Sequence, residues 1–321
     1  MAQKIVFNTQ KRIEWIDQLR GVLFLFVIIC HSRLAPPFLK HLYEPIFLTG
    51  FFFLSGYLYK DKDIVVKMKS IFNGLVAPFL LYSLLLGGIS LLQTFDPCVV
   101  MDTIVVNLLG GDTIWFIPCL VLVEVFYVLI SKFLKSKSDA ACMILAVVTL
   151  FVTSHFHIDF DVWCWQTALF ALGFYAYGHI FKERLLNKRN TAIGVGTYVV
   201  LCIIAGNLGW LDGIDMHRHR YGVPLVFLFM STIGCVVCVS LIRFLPSAKL
   251  LVEFGRYTLF MFPFHSVILR HVLKVMSKLS EIPNVLLLLL AVTITSAICL
   301  FSVRYIYLYV PALGGKKKWI K

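Results

Sequence analysis

A chain of 321 residues that is 60% hydrophobic and only 15% charged lies far from the ~45–50% apolar and ~25% charged make-up of soluble domains. Disorder, collagen-like repeats, a disulfide-stapled secreted domain and a free nucleic-acid binder are excluded, because none of them carries this much hydrocarbon. The formal charge of +13 is therefore read first as membrane topology.

Long apolar runs bounded by charges or turn residues fall at residues 14–33, 44–59, 70–93, 113–133, 139–155, 163–181, 191–208, 224–244, 250–273 and 283–307. A bilayer crossing takes about 20 such residues, so the pattern predicts an all-α integral membrane protein. The expectation is a bundle of about ten transmembrane helices in a single domain over residues 1–321. Basic residues divide unevenly between the loops on the two sides. One set, including Lys4, Lys60, Lys62, Lys67, Lys69, Lys132, Lys182, Arg243 and the tail Lys316 to Lys318, holds 20 of the 30. The opposite loops hold 7, and 3 lie within the runs. The positive-inside rule then puts both termini in the cytoplasm and the chain in the cell (inner or plasma) membrane. The first run carries charges and lacks a small-residue cleavage site, so it reads as a helix that stays rather than a signal peptide.

Charges at membrane depth cost at least ~2.5–3.5 kcal/mol each, which makes them candidates for function. The first run begins I-D-Q-L-R-G at Ile16 and reaches C-H at Cys30 and His31. It sets Asp17 and Arg20 near the inner end and His31 near the outer. Arg20 and His31 are 11 residues apart, about three helical turns plus ~20°, so they share a face at depths ~16 Å apart. The ninth run adds Arg256 toward the inner side and His265 in its outer half, and the tenth brings Arg304 toward the inner side. Trp115, at the outer start of the fourth run, joins the histidine level, and Glu124 is a lone acid deeper in that run. Three arginines on one level and two histidines above them suit a polyanion held from the cytoplasm beside a group that exchanges protons near neutral pH. Acyl-coenzyme A, with phosphates at one end and a thioester at the other, has that shape.

At these positions the chain resembles the acyltransferase-3 family of polytopic membrane O-acyltransferases, over essentially its whole length. The resemblance rests on I-D-Q-L-R-G with the later His31, on F-F-F-L-S-G-Y at Phe51 to Tyr57, on I-W-F-I-P at Ile114 to Pro118, and on G-R-Y-T-L-F-M-F-P-F-H at Gly255 to His265. Y-G-V-P, Tyr221 to Pro224, is similar to the fucose 4-O-acetylase-like subset. The resemblance implies transfer of an acyl group, most often acetyl, from acyl-CoA to a carbohydrate hydroxyl, as in a surface polysaccharide or its lipid-linked precursor. Arg20 and His31 fall on the family's essential pair, and Ser55, Trp115 and His265 fall on its other motifs. His31 is expected to act as general base or acyl carrier, with Arg20, Arg256 and Arg304 meeting the donor. The family's paired arginines before the third helix are replaced here by Lys67 and Lys69.

Other readings stay open from the sequence. A secondary transporter would use Arg20, His31, Glu124 and His265 as a pathway, although no internal repeat is visible. Ser55 beside Gly56 also fits close helix packing, and Trp115 an interfacial belt. H-F-H-I-D-F-D, His155 to Asp161, and M-H-R-H-R, Met216 to Arg220, carry zinc-type ligands without zinc-type spacing, so they read as polar loops and no metal is expected. Cys235 and Cys238 form a C-x-x-C inside an apolar run, better read as buried thiols than a redox pair. The expected partners are the lipid bilayer and a carbohydrate acceptor. Nucleic acid is not expected, because the positive charges do not form one continuous face, and a homo-oligomer is left open.

Overall fold

The computed structural model describes residues 13–110, 114–156, 161–183, 186–278, 283–309 and 319–320. Among them the regular secondary structure is all helical, apart from an isolated bridge between Asp215 and Arg220. In order, the helices are α1 Glu14–Ser32, α2 Pro37–Tyr43, α3 Thr49–Tyr57, α4 Ile64–Ile71, α5 Ala77–Thr94, α6 Pro97–Leu108, α7 Phe116–Leu134 and α8 Ser138–His155. They continue with α9 Trp165–Ile180, α10 Lys188–Asn207, α11 Pro224–Phe244, α12 Lys249–Arg256, α13 Thr258–Met261, α14 His265–Met276 and α15 Asn284–Tyr309. A π-helical stretch, Phe72–Val76, joins α4 to α5.

Six helical stretches are long and apolar enough to cross a membrane: Glu14–Ser32, Ile64–Thr94, Phe116–His155, Lys188–Asn207, Pro224–Phe244 and Asn284–Val303. The stretch Phe116–His155 breaks at Lys135, whose φ of 47° ends α7. The expected second, sixth and ninth runs take shorter forms. α3 has 9 residues and α9 has 16, and residues 250–273 divide into α12, α13 and α14. Tyr257 leaves helical geometry at φ −110°, and Pro263, lacking an N–H, cannot extend α13. Thr258 satisfies part of the break by donating its hydroxyl to the Gly255 carbonyl at 2.9 Å. α2 and α6 appear where only connections were expected, α6 started by Pro97 and capped by the Asp96 carboxylate on the Cys98 amide.

Large aromatic side chains, among them Phe24, Phe52, Phe53, Phe170 and Phe174, fill the centre at 1% exposure or less. Leu84, Leu92, Ile144, Phe151 and Phe301 stay exposed, an outward apolar surface that a lipid environment accounts for. α1 lies inside this arrangement, packed against α12, α14, α15 and α11.

The crossing of α1 with α12 depends on two glycines. A Cβ on Gly255 would overlap the Asp17 carbonyl oxygen, and one on Gly21 would overlap the Leu251 carbonyl oxygen. With hydrogen in both places the two backbones touch. Gln18 locks the approach, its side chain donating to the Pro246 carbonyl at 3.2 Å and accepting from the Ala248 amide at 3.0 Å. The residues of I-D-Q-L-R-G thus acquire separate roles. Ile16 and Leu19 are buried, Gln18 clamps, and Gly21 admits the neighbouring helix. Asp17 and Arg20 are left for the site.

Candidate active site

Where α1 and α12 touch, Asp17 sits with a side chain only 4% exposed and meets two guanidinium groups. Arg20 approaches from its own helix through Nη1 at 3.4 Å, and Arg256 approaches from α12 through Nε at 3.4 Å. Both arginines remain more than one-third exposed. A buried carboxylate thus holds two cations of different helices at one point while their outer donors stay accessible. Both line a cavity of about 420 Å³, within the ~300–1,000 Å³ range of small-molecule sites.

The other walls come from α3, α4, the π-helical stretch and α7. Ser55, Lys67, Gly74, Leu120 and Glu124 line the same space, with Phe51, Phe116 and Phe262 at its apolar end. Lys67 places its ammonium 4.2 Å from the centre of the Tyr59 ring and is the opposite charge acting on Glu124. The cavity is therefore cationic overall, with one acid set into its wall. Ser55 lines the cavity while Gly56, next in sequence, makes the close approach, since a Cβ there would overlap the Tyr175 carbonyl oxygen. Ser55, read from the sequence either as a site residue or as a packing contact, lines the cavity, and the close contact is made by Gly56.

Beyond the aromatic end lies the histidine level. Phe262 stacks on Phe116 at 5.1 Å and meets His265 at 5.5 Å, and Phe24 meets His265 at 5.3 Å. The His265 ring, 1% exposed, lies 5.0 Å from that of His31. One element, α1, therefore carries a cavity-lining arginine at one end and a member of the imidazole pair at the other, as the 11-residue spacing requires. The break after Met261 is what lets His265 turn toward α1: it starts α14, and its Nδ1 bonds to the Phe262 carbonyl.

Of the residues singled out in the sequence, Arg20, Arg256, Lys67, Ser55 and Glu124 come together at the cavity, Asp17 links the two arginines, and His31 and His265 pair beyond it. Lys69 is half-buried and does not line the cavity. Trp115 does not line it either. It lies 6.0 Å from Phe116 and stacks on His217 at 5.0 Å, which ties the α10–α11 connection to the start of α7. The side chain of Arg304 lies outside the described residues, as do His157, Asp159 and Lys316 to Lys318. His219 bonds to Asp161 at 3.0 Å and Thr167 at 3.2 Å. Among the described residues no three His, Cys, Asp or Glu side chains gather as metal ligands would. The aromatic partition, Phe51, Phe116 and Phe262, was not singled out from the sequence, although each residue lies in one of the family-like stretches around Ser55, Trp115 and His265. The π-helical wall has no sequence signal at all.

This fold and site define a polytopic helical membrane protein whose interior presents clustered cations to a small-molecule cavity. A family model described as an acyltransferase domain, of the acyltransferase-3 type, matches residues 13–304. The chain belongs to that family and is a membrane acyltransferase, so it uses an acyl donor. No curated protein and no solved structure matches the chain.

Proposed function

We propose that this protein is an O-acyltransferase, specifically an O-acetyltransferase, that moves an acyl group from cytoplasmic acyl-CoA to a hydroxyl of a carbohydrate such as a surface polysaccharide or its lipid-linked precursor. The observation that carries the reading is the cavity with Arg20 and Arg256 held on Asp17 at one end of α1 and the His31–His265 pair at the other. In this reading the chain crosses the cell membrane about ten times as a single domain with both termini cytoplasmic, three of the crossings being short or broken helices. The Tyr221 to Pro224 stretch supports the fucose 4-O-acetylase-like subset: Tyr221 is buried, Gly222 takes φ 58°, and Pro224 opens α11.

The arginine forks and Lys67 receive the phosphates of the donor, because guanidinium gives charge-assisted bidentate hydrogen bonds to phosphate oxygens. Arg304 belongs to the same donor-binding group, whereas Lys69, outside the cavity lining, does not. His31 takes the proton of the acceptor hydroxyl. The oxygen attacks the thioester carbonyl, the carbon–sulfur bond breaks, and His31 returns the proton to the leaving sulfur. An acyl-His31 intermediate is the alternative route. Glu124 and Ser55 supply an acceptor and a hydroxyl for the polar middle of the donor.

Purified protein in nanodiscs with labelled acetyl-CoA and candidate glycans tests this reading. Acceptor-dependent release of free coenzyme A is expected. Positioned base catalysis is worth ~10²–10⁴-fold, so His31→Ala is expected to lose that much transfer while still inserting in the membrane. Wild-type transfer by His31→Ala overturns the His31 assignment. Carriage of a solute across the membrane without coenzyme A release overturns the enzyme reading in favour of a transporter.

A further inference from the structure

His265 is a buried titratable side chain whose chemistry the reaction just described leaves unused. Its Nδ1 lies against the Phe262 carbonyl, an acceptor only, so Nδ1 carries the proton in the neutral ring and Nε2 presents a lone pair. Nε2 is buried and has no hydrogen-bond partner among the described residues. An unmet buried acceptor is costly and calls for a reason. The aromatic faces of Phe24 and Phe262 offer it no proton, whereas the His31 ring, able to supply one, lies 5.0 Å away between centroids at an interplanar angle of 63°. The second torsion of histidine is soft, so the pairing asks the His31 ring to turn until one nitrogen reaches the ~3 Å of an N–H···N bond.

We infer that His265 is a positioning residue for His31: its Nε2 accepts the N–H of one His31 nitrogen during turnover, so that the other His31 nitrogen faces the acceptor hydroxyl with its lone pair. The inference rests on the acyl-transfer reading. The chain of contacts runs from the Phe262 carbonyl through both imidazoles to the hydroxyl, the arrangement by which a third group orients a catalytic base. The proton balance is unchanged: the hydroxyl proton moves to His31 and then to the departing sulfur, while His265 remains neutral and stabilises the His31 imidazolium by accepting its hydrogen bond. The aromatic box serves this purpose, because burial in an apolar sleeve keeps water from competing for Nε2. The chain break after Met261 sets His265 at the start of α14, with its Nδ1 on the Phe262 carbonyl three residues back.

The test compares His265→Phe with His265→Gln in the full chain. Phenylalanine keeps the ring volume and the aromatic packing and removes the acceptor. Glutamine can donate to the Phe262 carbonyl and still offer an oxygen to His31. The expected result is a fall in kcat of ~10²-fold for H265F and a partial rescue to within ~10-fold of wild type for H265Q. KM for acetyl-CoA stays unchanged in both, because Phe262 separates His265 from the cation-lined cavity. Nitrogen-15 spectra of histidine-labelled protein, with the His31 signals assigned by loss in His31→Gln, provide a readout independent of turnover. They should show His31 shifted in H265F and largely restored in H265Q. Unchanged kcat, or His31 signals identical in wild type and H265F, overturns the inference. If wild type transfers nothing while the His31 signals still respond to H265F, the acyl-transfer reading fails and the pairing of the two imidazoles stands.

Discussion

Replacing Gly255 by alanine probes the geometry on which the site depends. The added Cβ would collide with the Asp17 carbonyl oxygen and come within 2.8 Å of the Gly21 amide nitrogen. Both obstacles are backbone atoms, so no rotamer change relieves them, and α1 and α12 must move apart by roughly 1–2 Å. Overpacking of this kind costs ~1–3 kcal/mol, offset by up to ~1 kcal/mol of gained helix propensity, which leaves about 1 kcal/mol of destabilisation. The functional effect is larger. Arg20 and Arg256 each stand 3.4 Å from Asp17, and such a separation takes one of them out of contact. Misplacement by ~1 Å at a reacting site can cost ~10²-fold in rate. Thermal melting in detergent with and without coenzyme A measures both parts, since ligand at 100 times its Kd adds ~2.7 kcal/mol to a binding-competent fold. G255A is expected to melt lower, to lose most of the coenzyme A-dependent shift and to transfer ~10²-fold more slowly. Gly196 in α10 has nothing within 4 Å of its virtual Cβ, so G196A serves as the control and should be neutral or slightly stabilising. A G255A protein with wild-type melting, ligand shift and activity would refute the alignment of the two arginines by the glycine contact.

Three further outcomes follow from the same site. Asp17→Asn keeps the side-chain shape and removes the charge shared by Arg20 and Arg256; because both arginines are substantially exposed, the stability cost should stay near ~1 kcal/mol, while KM for acyl-CoA rises ~10-fold in steady-state assays. Arg20→Lys retains the charge and loses the planar fork, so the same assays should show KM raised ~10-fold and an affinity that falls more steeply with added salt than in wild type. Ser55→Ala and Gly56→Ala separate two adjacent roles: S55A should fold normally with transfer reduced less than ~10-fold, whereas G56A, pressed on the Tyr175 carbonyl, should lose ~1–3 kcal/mol by thermal melting.

What the sequence determined by itself follows from local physics. Composition demanded a membrane, and the period of the helix placed Arg20 and His31 on one face of Glu14–Ser32 at two depths. The cost of burying charge marked Asp17, Arg256, Glu124 and His265 as residues needing a reason. Helix bounds such as Pro224–Phe244 and Ser138–His155 were legible because proline, charge and the end of an apolar run coincide there. The tertiary structure alone decided which of these marks meet. Nothing in the spacing of Asp17 and Arg256, 239 residues apart, says that one carboxylate serves two helices; that is settled by two glycines whose missing side chains let backbones touch. Likewise Lys67 reached the cavity and Lys69 did not, because successive side chains of a helix point about 100° apart and only packing chooses which direction faces inward. The aromatic partition and the interruption before His265 also belong to packing: apolar residues look alike in a hydrophobic run, and only their neighbours reveal which of them divide a cation-lined cavity from a pair of imidazoles.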